Sequence, residues 1–255
     1  ELENEFRRAL RDEEFDFFLQ PVINLIDNSI LYKEMYVRWS HPTYGKIARE
    51  QFRQVADHSG LTVDLDLFQL AKACELIKRF EDTDEAIERI AVNVSINHLL
   101  QPSMVNQMTE VIADSGIKAN RLVFEFDEND LNRRSQFILP AIKKLKRAGV
   151  TLVLDNFGSG LASLSYLFAY PFDFIKIDHR FVKSLPRSQR NLKLIQSVML
   201  ISEHLKFNVI AEGVDSPSQL SALNDIECVY GQGKTLQRAV VLDMTKATEQ
   251  ASKSK

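Results

Sequence analysis

Cysteine is scarce in this 255-residue chain, and long apolar runs are missing from it. Cys74 and Cys228 are too far apart in sequence to form a metal-binding motif or a disulfide framework, which indicates a reducing compartment. No apolar run approaches the ~20 residues that a membrane-spanning helix needs, and no signal peptide opens the chain. We therefore expect a cytoplasmic location. Since the first residue is Glu1 rather than Met, the chain is expected to be either a whole protein or the cytoplasmic part of a longer one.

An excess of basic residues is also lacking. The 32 Lys and Arg residues are outnumbered by 35 Asp and Glu residues, so no DNA-binding surface is expected. The 5 histidines are scattered along the chain, which favours surface or core positions over metal ligation. No Gly-x-Gly-x-x-Gly turn follows the first predicted strand, and this weighs against a dinucleotide-binding fold.

What the sequence does contain is a regular alternation of strand and helix. A helix is predicted over residues 1–12, and Asp27-Asn28 forms a hairpin-turn signal between the first two strands. Six or seven of eight predicted strands precede a helix, which favours a TIM-like (β/α)8 barrel with an antiparallel first strand. We expect a single domain over residues 1–255, in which residues 250–255 form a polar tail. The predicted strands are Phe15–Ile23, Ile30–Trp39, Arg89–Ser95, Arg121–Phe126, Val150–Leu154, Phe172–Ile177, Asn208–Ala211 and Cys228–Tyr230.

The connections between these strands carry their own predictions. The segment His41–Lys46, with its Pro and Gly, is predicted to be a loop. Helices are predicted near Leu161–Phe168 and from about Pro186 to Leu205, among others. A last amphipathic piece is expected near Val240–Glu249.

Polar side chains follow or end most of the predicted strands. In Val150–Gly160, for example, an apolar strand runs into Asp155-Asn156 and a glycine-bounded turn, where α/β enzymes place their chemistry. A barrel would bring these strand ends together, and the mutual repulsion of several carboxylates would require cations. Oxygen and amide ligands without a His or Cys cluster suit Mg²⁺ or Mn²⁺, which activate water against a phosphoryl centre; the alternative is a set of ion pairs that closes the barrel mouth. The polar residues on or just after the predicted strands are Glu34, Arg38, Asn93, Glu125, Glu128, Asp155, Asn156, Lys176, Asp178, Glu212 and Gln232.

A series of short motifs carries a family resemblance. They are Gln20-Pro21, Glu34–Trp39, Val92–Ser95, Phe124–Glu128, Leu154–Gly160, Ile175–Asp178 with Phe181-Val182, Ile210–Val214 and Gly231–Gly233. With these motifs in order, the chain resembles the EAL-domain family of cyclic-di-GMP phosphodiesterases along nearly its whole length. The resemblance implies a TIM-like barrel with an antiparallel first strand, and two Mg²⁺ or Mn²⁺ ions that activate water to open cyclic-di-GMP to linear pGpG.

The resemblance also implies a role for each matched residue. The catalytic residues would be Lys176, near the attacking water, with Glu34 and Glu212. The nucleotide would be contacted by Gln20, Arg38 and Lys234. Glu128 would stabilise the glycine loop after the fifth strand. The metal ligands would be Glu34, Asn93, Glu125, Asp155, Asn156, Asp178, Glu212 and Gln232.

Several positions depart from the family pattern. Asn156 stands where active members usually carry a second consecutive Asp, so one negative charge is missing from the second metal position. Met35-Tyr36 replaces the Ala-Leu of the family's name, and Lys234 stands where an aromatic residue usually stacks on guanine. Loss of such a stacking contact costs on the order of 1–3 kcal/mol of binding free energy. The other departures are His179, Arg49 and Ala239.

Three functions therefore compete for this sequence. A working phosphodiesterase is favoured by the polar residues that remain, and a receptor that binds cyclic-di-GMP without efficient catalysis is favoured by the departures. A protein-interaction module that uses no nucleotide is favoured only by how widespread those departures are. We expect an EAL-type domain with impaired hydrolysis and a weak second metal position. The resemblance also implies a homodimer and an upstream sensor or cyclase-like domain, since both are frequent in the family.

Overall fold

The computed structural model describes residues 2–242 except residues 13, 48, 84–85, 102, 132–134 and 161–163. Its strands are β1 (Phe15–Asn24), β2 (Ile30–His41), β3 (Gly45–Ile47), β4 (Ile90–Asn93), β5 (Leu122–Asp127), β6 (Thr151–Phe157), β7 (Phe174–Ile177), β8 (Asn208–Glu212), β9 (Tyr230–Gln232) and β10 (Val240–Val241). Its helices are α1 (Leu2–Asp12), α2 (Arg49–Ser59), α3 (Thr62–Arg79), α4 (Met104–Ser115), α5 (Glu128–Leu131), α6 (Ser135–Ala148), α7 (Leu164–Ala169), α8 (His179–Lys183), α9 (Gln189–Leu205) and α10 (Pro217–Asn224). Short 3₁₀ turns occupy Ile96–Leu100 and Ala119–Arg121.

Eight of these strands close into a barrel. From β2 through β4, β5, β6, β7 and β8 to β9, each strand runs parallel to the next. The first strand, β1, is antiparallel to both β2 and β9 and completes the ring. The short strands β3 and β10 pair with β2 and β1 outside the ring. The predicted TIM-like barrel with an antiparallel first strand is therefore confirmed, whereas the single domain over residues 1–255 stays a prediction.

The hairpin that joins β1 to β2 turns at the predicted dipeptide. Asn28 has a φ of 60°, a left-handed conformation that asparagine adopts at low cost. The Asp27 carboxylate accepts a hydrogen bond from the backbone N–H of Ser29 at 2.8 Å. These local bonds set the register in which Gln20 faces Glu34 across the two strands.

The structure corrects the predicted loop at His41–Lys46. His41 is the last residue of β2, and residues 45–47 form β3, which pairs back on β2. The pairing of Trp39 with Ile47 anchors this hairpin because Trp39 is fully buried in the aromatic core. A strand of three residues is too short to show a period-two pattern, so β3 could not be predicted from the sequence.

Helix boundaries also differ from the predicted ones. The helix expected from Pro186 begins at Gln189, because the Ser188 side chain accepts the N–H of Asn191 and caps it. The helix predicted at Leu161–Phe168 is observed as α7, and residues 161–163 lie outside the described residues. Of the piece predicted at Val240–Glu249, the first two residues form β10, while residues 243–249 and the tail 250–255 are likewise outside them. None of the described helices has the length and apolar character that crossing a membrane requires.

One apolar layer fills the interior of the barrel. Because side chains alternate between the two faces of a strand, each strand sends every second residue inward. Full burial of one such side chain stabilises the fold by about 1.5–3 kcal/mol. The alternate, outward residues pack against the helices in a second, larger core. The interior layer consists of Val22, Tyr32, Ala91, Val123, Val153, Phe174 and Ile210, with Tyr230 partly buried beside it.

Candidate functional site

The candidate site is the next interior layer, at the carboxyl ends of the parallel strands. On each parallel strand, a polar residue follows the interior residue by two positions. It also faces the interior, because side chains along a strand alternate between the two faces. On the reversed strand β1 the corresponding residue precedes Val22 by two positions and is Gln20. The layer consists of Gln20, Glu34, Asn93, Glu125, Asp155, Lys176, Glu212 and Gln232.

The side chain of Lys176 lies at the centre of this layer. Its ammonium nitrogen is 2.7 Å from Oε2 of Glu34, 3.3 Å from Oε2 of Glu125 and 3.8 Å from Oδ1 of Asp155. Burial alone would lower the pKa of Lys176, but the surrounding carboxylates outweigh it and raise that pKa well above its usual value. Lys176 is therefore a permanent cation among several acids.

Glu34 is the most heavily hydrogen-bonded acid of the site. Its Oε2 accepts bonds from Lys176 at 2.7 Å, from Nε2 of Gln232 at 2.9 Å and from the Tyr36 hydroxyl at 2.9 Å. Its Oε1 accepts Nδ2 of Asn93 at 3.2 Å. Burial opposes ionisation, but Lys176 and these donors prevail and lower the pKa of Glu34 to about 2. The Glu34 carboxylate is thus ionised and has donors on both oxygens.

The structure adds Tyr32 to the site, a residue that the sequence analysis did not identify. Its hydroxyl donates a hydrogen bond to Oε1 of Glu125 at 2.9 Å from within the apolar layer. Burial, followed by the negative charge of Glu34, raises the pKa of Glu125 well above its usual value. The spacing held a signal, since Tyr32 precedes Glu34 by two residues and so points to the same face.

Glu212 and Gln232 form the side of the site nearest β1. Oε2 of Glu212 and Oε1 of Gln232 are buried without a hydrogen-bond partner in the described part of the chain. Burial is the main cause that raises the pKa of Glu212 to about 7. Both residues line a cavity of about 410 Å³ that Gln20, Lys183 and Lys234 also line. Polar and charged side chains and glycines make up the lining of this cavity.

A second cavity, also of about 410 Å³, lies at the carboxyl ends of β4, β5 and β6. Asn93, Glu125, Asp155 and Asn156 line it together with Asp127, another residue that the sequence analysis missed. Burial raises the pKa of Asp155, and Lys176 offsets part of that rise. Nδ2 of Asn156 donates to Oδ2 of Asp127 at 2.9 Å and to Oδ2 of Asp155 at 3.2 Å.

Other residues predicted for the site lie around this cluster with partners of their own. Oε2 of Glu128 accepts the backbone N–H groups of Gly158 and Gly160 at 2.9 and 3.3 Å. Asp178 caps α8 and forms an ion pair with Arg180, whose Nε is 2.9 Å away. Burial raises the pKa of Asp178, but the hydrogen bonds and the charge of Arg180 outweigh it and hold that pKa below its usual value.

The two cations predicted to contact the nucleotide are both exposed. The Arg38 guanidinium lies 4.6 Å from the centre of the Phe18 ring, a cation–π distance, and the residue is exposed. The Lys234 ammonium lies 3.5 Å from Oδ2 of Asp215 at the rim of the cavity beside Glu212. Gln20 donates to the backbone oxygen of Gln237 at 3.2 Å.

A closed barrel of eight strands that alternate with helices, with polar side chains gathered at the carboxyl ends of the parallel strands, places this domain in the TIM-barrel class. The sequence matches the EAL domain over residues 3–239, and the chain therefore belongs to the EAL-domain family. It is 32% identical over 242 residues to the cyclic di-GMP phosphodiesterase NbdA of Pseudomonas aeruginosa, an alignment that covers 95% of this chain and 31% of NbdA. This chain thus spans less than a third of that relative, and it is related to cyclic-di-GMP phosphodiesterases.

Solved structures show the same barrel. The PaMucR phosphodiesterase in its c-di-GMP complex superposes with a TM-score of 0.86 at 26% identity, covering 95% of this chain and 98% of that one. The FimX EAL domain of Pseudomonas aeruginosa, bound to c-di-GMP, superposes with a TM-score of 0.83 and covers 92% of this chain and 94% of that one. At 23% identity the FimX comparison supports the fold alone.

EAL phosphodiesterases generally depend on divalent metal ions, and the residues of this site fit such an ion in their chemistry. Hard cations prefer carboxylate and amide oxygens, and the buried, unpartnered oxygens of Glu212 and Gln232 could accept one. In the described residues, however, no three His, Cys, Asp or Glu side chains are arranged to hold a metal as they stand. Lys176 and the other donors to Glu34 occupy the positions from which its oxygens would bind a cation, so ligation requires these side chains to move.

Proposed function

We propose that this EAL domain binds cyclic-di-GMP at the barrel mouth and opens it to linear pGpG with impaired turnover. The observation that carries the proposal is the environment of Glu34, whose two oxygens accept hydrogen bonds from four side chains, one of them the Tyr36 phenol. A leucine at position 36, as the family's name implies, could not donate that bond. The additional donor therefore stabilises the arrangement in which Glu34 is not a metal ligand.

Nucleotide binding is supported by the cationic and amide side chains around the barrel mouth. The cavity beside Glu212 offers two lysines and the Gln20 amide, and the exposed Arg38 guanidinium stands four residues beyond Glu34 on the same strand face. Guanidinium and ammonium groups are the usual partners of phosphate oxygens. Two similar proteins point to the same ligand: NbdA is a cyclic di-GMP phosphodiesterase, and the PaMucR phosphodiesterase was solved as a c-di-GMP complex.

Hydrolysis would use this chain's residues in distinct roles. Divalent cations, when bound, would supply an activated water and charge stabilisation at the phosphodiester. Glu34, Asn93, Glu125 and Asp155 would hold them, with Glu212 and Gln232 beside them. Lys176 keeps its proton because its pKa is raised, so it would stabilise negative charge that develops on the phosphate rather than act as a base.

Impairment would have two sources. Tyr36 competes with a cation for Oε2 of Glu34, and Asn156 turns amide hydrogens rather than an oxygen towards Asp155.

The direct test is incubation with cyclic-di-GMP and Mn²⁺ and quantification of pGpG, alongside calorimetric titration with cyclic-di-GMP in which Ca²⁺ replaces Mn²⁺. We expect measurable heat of binding and turnover below about 1 per second, the lower end of the usual enzyme range. Faster turnover would contradict impairment, and absence of heat would contradict binding.

A receptor without catalysis is the second candidate. It is favoured by the contrast between the engaged Glu34 carboxylate and the open cavity beside Glu212, because binding needs the cavity and hydrolysis needs the carboxylate. A receptor would bind the nucleotide and form no pGpG at saturating Mn²⁺, whereas a protein-interaction module would show no heat at all. The homodimer, the upstream sensor or cyclase-like domain and the cytoplasmic location remain predictions.

A further inference from the structure

Asn156 lies in a local irregularity of β6 that turns its side chain towards β5. The register between β6 and β7 shifts between Leu154 and Phe157, and Asn156 has a φ of 57°. Bulges of this kind re-aim a side chain at the rim of a barrel. In the register of β5 and β6, Asp127 stands opposite Asp155, so residue 156 reaches Asp127 across the strand pair.

The hydrogen bonds of Asn156 determine how its amide is oriented. Its nearest described acceptors are carboxylate oxygens of Asp127, at 2.9 Å, and Asp155, at 3.2 Å. An ionised carboxylate can only accept, so the amide nitrogen must face both acids and the amide oxygen must point away from them. Asp127 is itself fixed, since its Oδ1 accepts the backbone N–H of Asn129 at 2.8 Å and the Asn129 side chain at 3.0 Å.

We propose that Asp127 is a positioning residue for the cation site, acting through Asn156. It supplies the negative charge that position 156 lacks, and it holds the amide hydrogens of Asn156 against Asp155, so that residue 156 presents no oxygen there. The cation itself rests on the proposed function, whereas the pairing of Asp127 with Asn156 rests on geometry alone. The state of the second metal position is therefore set by two residues together and not by Asn156 by itself.

The pairing has a consequence for the obvious repair of the site. Asn156→Asp alone would place two carboxylates where an amide and a carboxylate now lie 2.9 Å apart, and like charges at this distance repel. The exchange Asp127→Asn with Asn156→Asp avoids this repulsion. It keeps the amino-acid composition, the net charge and one amide–carboxylate hydrogen bond, with the donor and the acceptor interchanged.

The test compares four proteins: the unaltered chain, Asn156→Asp, Asp127→Asn and the double exchange. Without metal, we expect Asn156→Asp to lower the melting temperature by about 3–6 °C. The double exchange should recover only part of that loss, because residue 156 would still place a carboxylate against Asp155, where its amide now donates at 3.2 Å. In Mn²⁺ titration calorimetry, the double exchange should bind a second equivalent about tenfold more tightly than the unaltered chain. Asp127→Asn alone should bind it more weakly than the unaltered chain.

Two results would overturn these claims separately. Melting temperatures that add across the two positions would refute the pairing, whatever the Mn²⁺ titrations show. Partial recovery of the melting temperature in the double exchange, with a Mn²⁺ affinity no higher than that of the unaltered chain, would refute the positioning role. Failure of all four proteins to bind Mn²⁺ would refute the proposed function and, with it, the positioning role. The melting temperatures would still decide whether Asp127 and Asn156 are paired.

Discussion

The ammonium nitrogen of Lys176 and Oε2 of Glu34 lie 2.7 Å apart in an ion pair that is almost wholly excluded from solvent. Removal of one partner from such a pair leaves an uncompensated buried charge, which typically costs about 3–5 kcal/mol. Loss of Lys176 would leave three acids without their shared cation, because Glu125 and Asp155 lie near the same ammonium group as Glu34. The stability of the mouth is therefore tied to its charge balance.

Lys176→Met should destabilise the metal-free protein by about 3–5 kcal/mol, since the clustered acids lose their central cation. Added Mn²⁺ should restore part of that loss, because it replaces the missing positive charge. Urea unfolding with and without Mn²⁺ measures both effects. The exposed Lys193 provides the control, and Lys193→Met should change the free energy of unfolding by less than about 0.5 kcal/mol. Equal losses in the two variants would disprove this electrostatic account.

Tyr36→Phe should raise the affinity for Mn²⁺ and the rate of pGpG formation by up to about tenfold. The change removes one hydroxyl donor from Glu34, and a hydrogen bond to a charged group contributes about 1.5–3 kcal/mol, part of which now opposes cation binding. The measurement is the Mn²⁺ dependence of pGpG formation, with calorimetry as a readout independent of activity. Tyr44→Phe, at a ring that is 68% exposed, is the matched control and should change neither quantity. A response at position 44 as large as that at position 36 would refute the competition.

The metal-free protein should lose stability as the pH rises from about 4.5 to about 7. Burial chiefly raises the pKa of Glu212 from 4.5 to about 7, so the folded state retains a proton that the unfolded state releases above pH 4.5. That contribution is fully present below pH 4.5 and disappears as the pH passes 7, a change of about 3 kcal/mol. The low pKa of Glu34 acts in the opposite direction and only below this window.

Urea unfolding between pH 4.5 and 8 in the presence of a chelator measures this slope. In Glu212→Gln the slope should be reduced, because an amide cannot take up or release the proton. Saturating Mn²⁺ should also flatten it, since a bound cation holds Glu212 ionised. An unchanged slope in Glu212→Gln would assign the effect to other acids of the cluster.

Gly233→Ala should destabilise the fold by about 2–3 kcal/mol or more. A Cβ atom at this position would lie 2.3 Å from the backbone oxygen of Val214 and 2.4 Å from its nitrogen, and backbone cannot yield as a flexible side chain can. The N–H of Val214 donates to the backbone oxygen of Gln232, so the displacement would also move a site residue. Gly60→Ala, with a φ of 69° and open space around it, should cost only about 1–2 kcal/mol. Equal melting temperatures for the two variants would contradict the steric explanation.

The parts of the fold that follow from local pattern could be predicted. Seven of the eight barrel strands were identified as apolar or β-branched runs bounded by turn residues, whereas the eighth was predicted at Cys228–Tyr230 and is observed two residues later, as β9. The polar residues of the mouth were found in the same way, since they stand at the ends of those runs. Edge strands such as β3 escaped prediction because their pairing, rather than their own pattern, makes them strands.

The contacts that decide the chemistry could not be predicted so directly. Tyr36 was recognised as a bulky replacement, but its bond to Glu34 depends on the rotamer that the barrel interior permits. Asp127 becomes a neighbour of Asn156 only when the register of β5 against β6 and the irregularity in β6 are both known. Such pairings lie between distant segments, and a single sequence carries no record of them.

Closure of the ring by the first strand has a consequence for synthesis of the protein. Ile23 pairs with Gly231, so β1 has its hairpin partner early but waits for almost the last strand before its other edge is covered. Until then the nascent sheet has two open edges, which are templates for pairing with other chains. Truncation before Tyr230 should therefore yield insoluble material instead of a slightly shortened barrel.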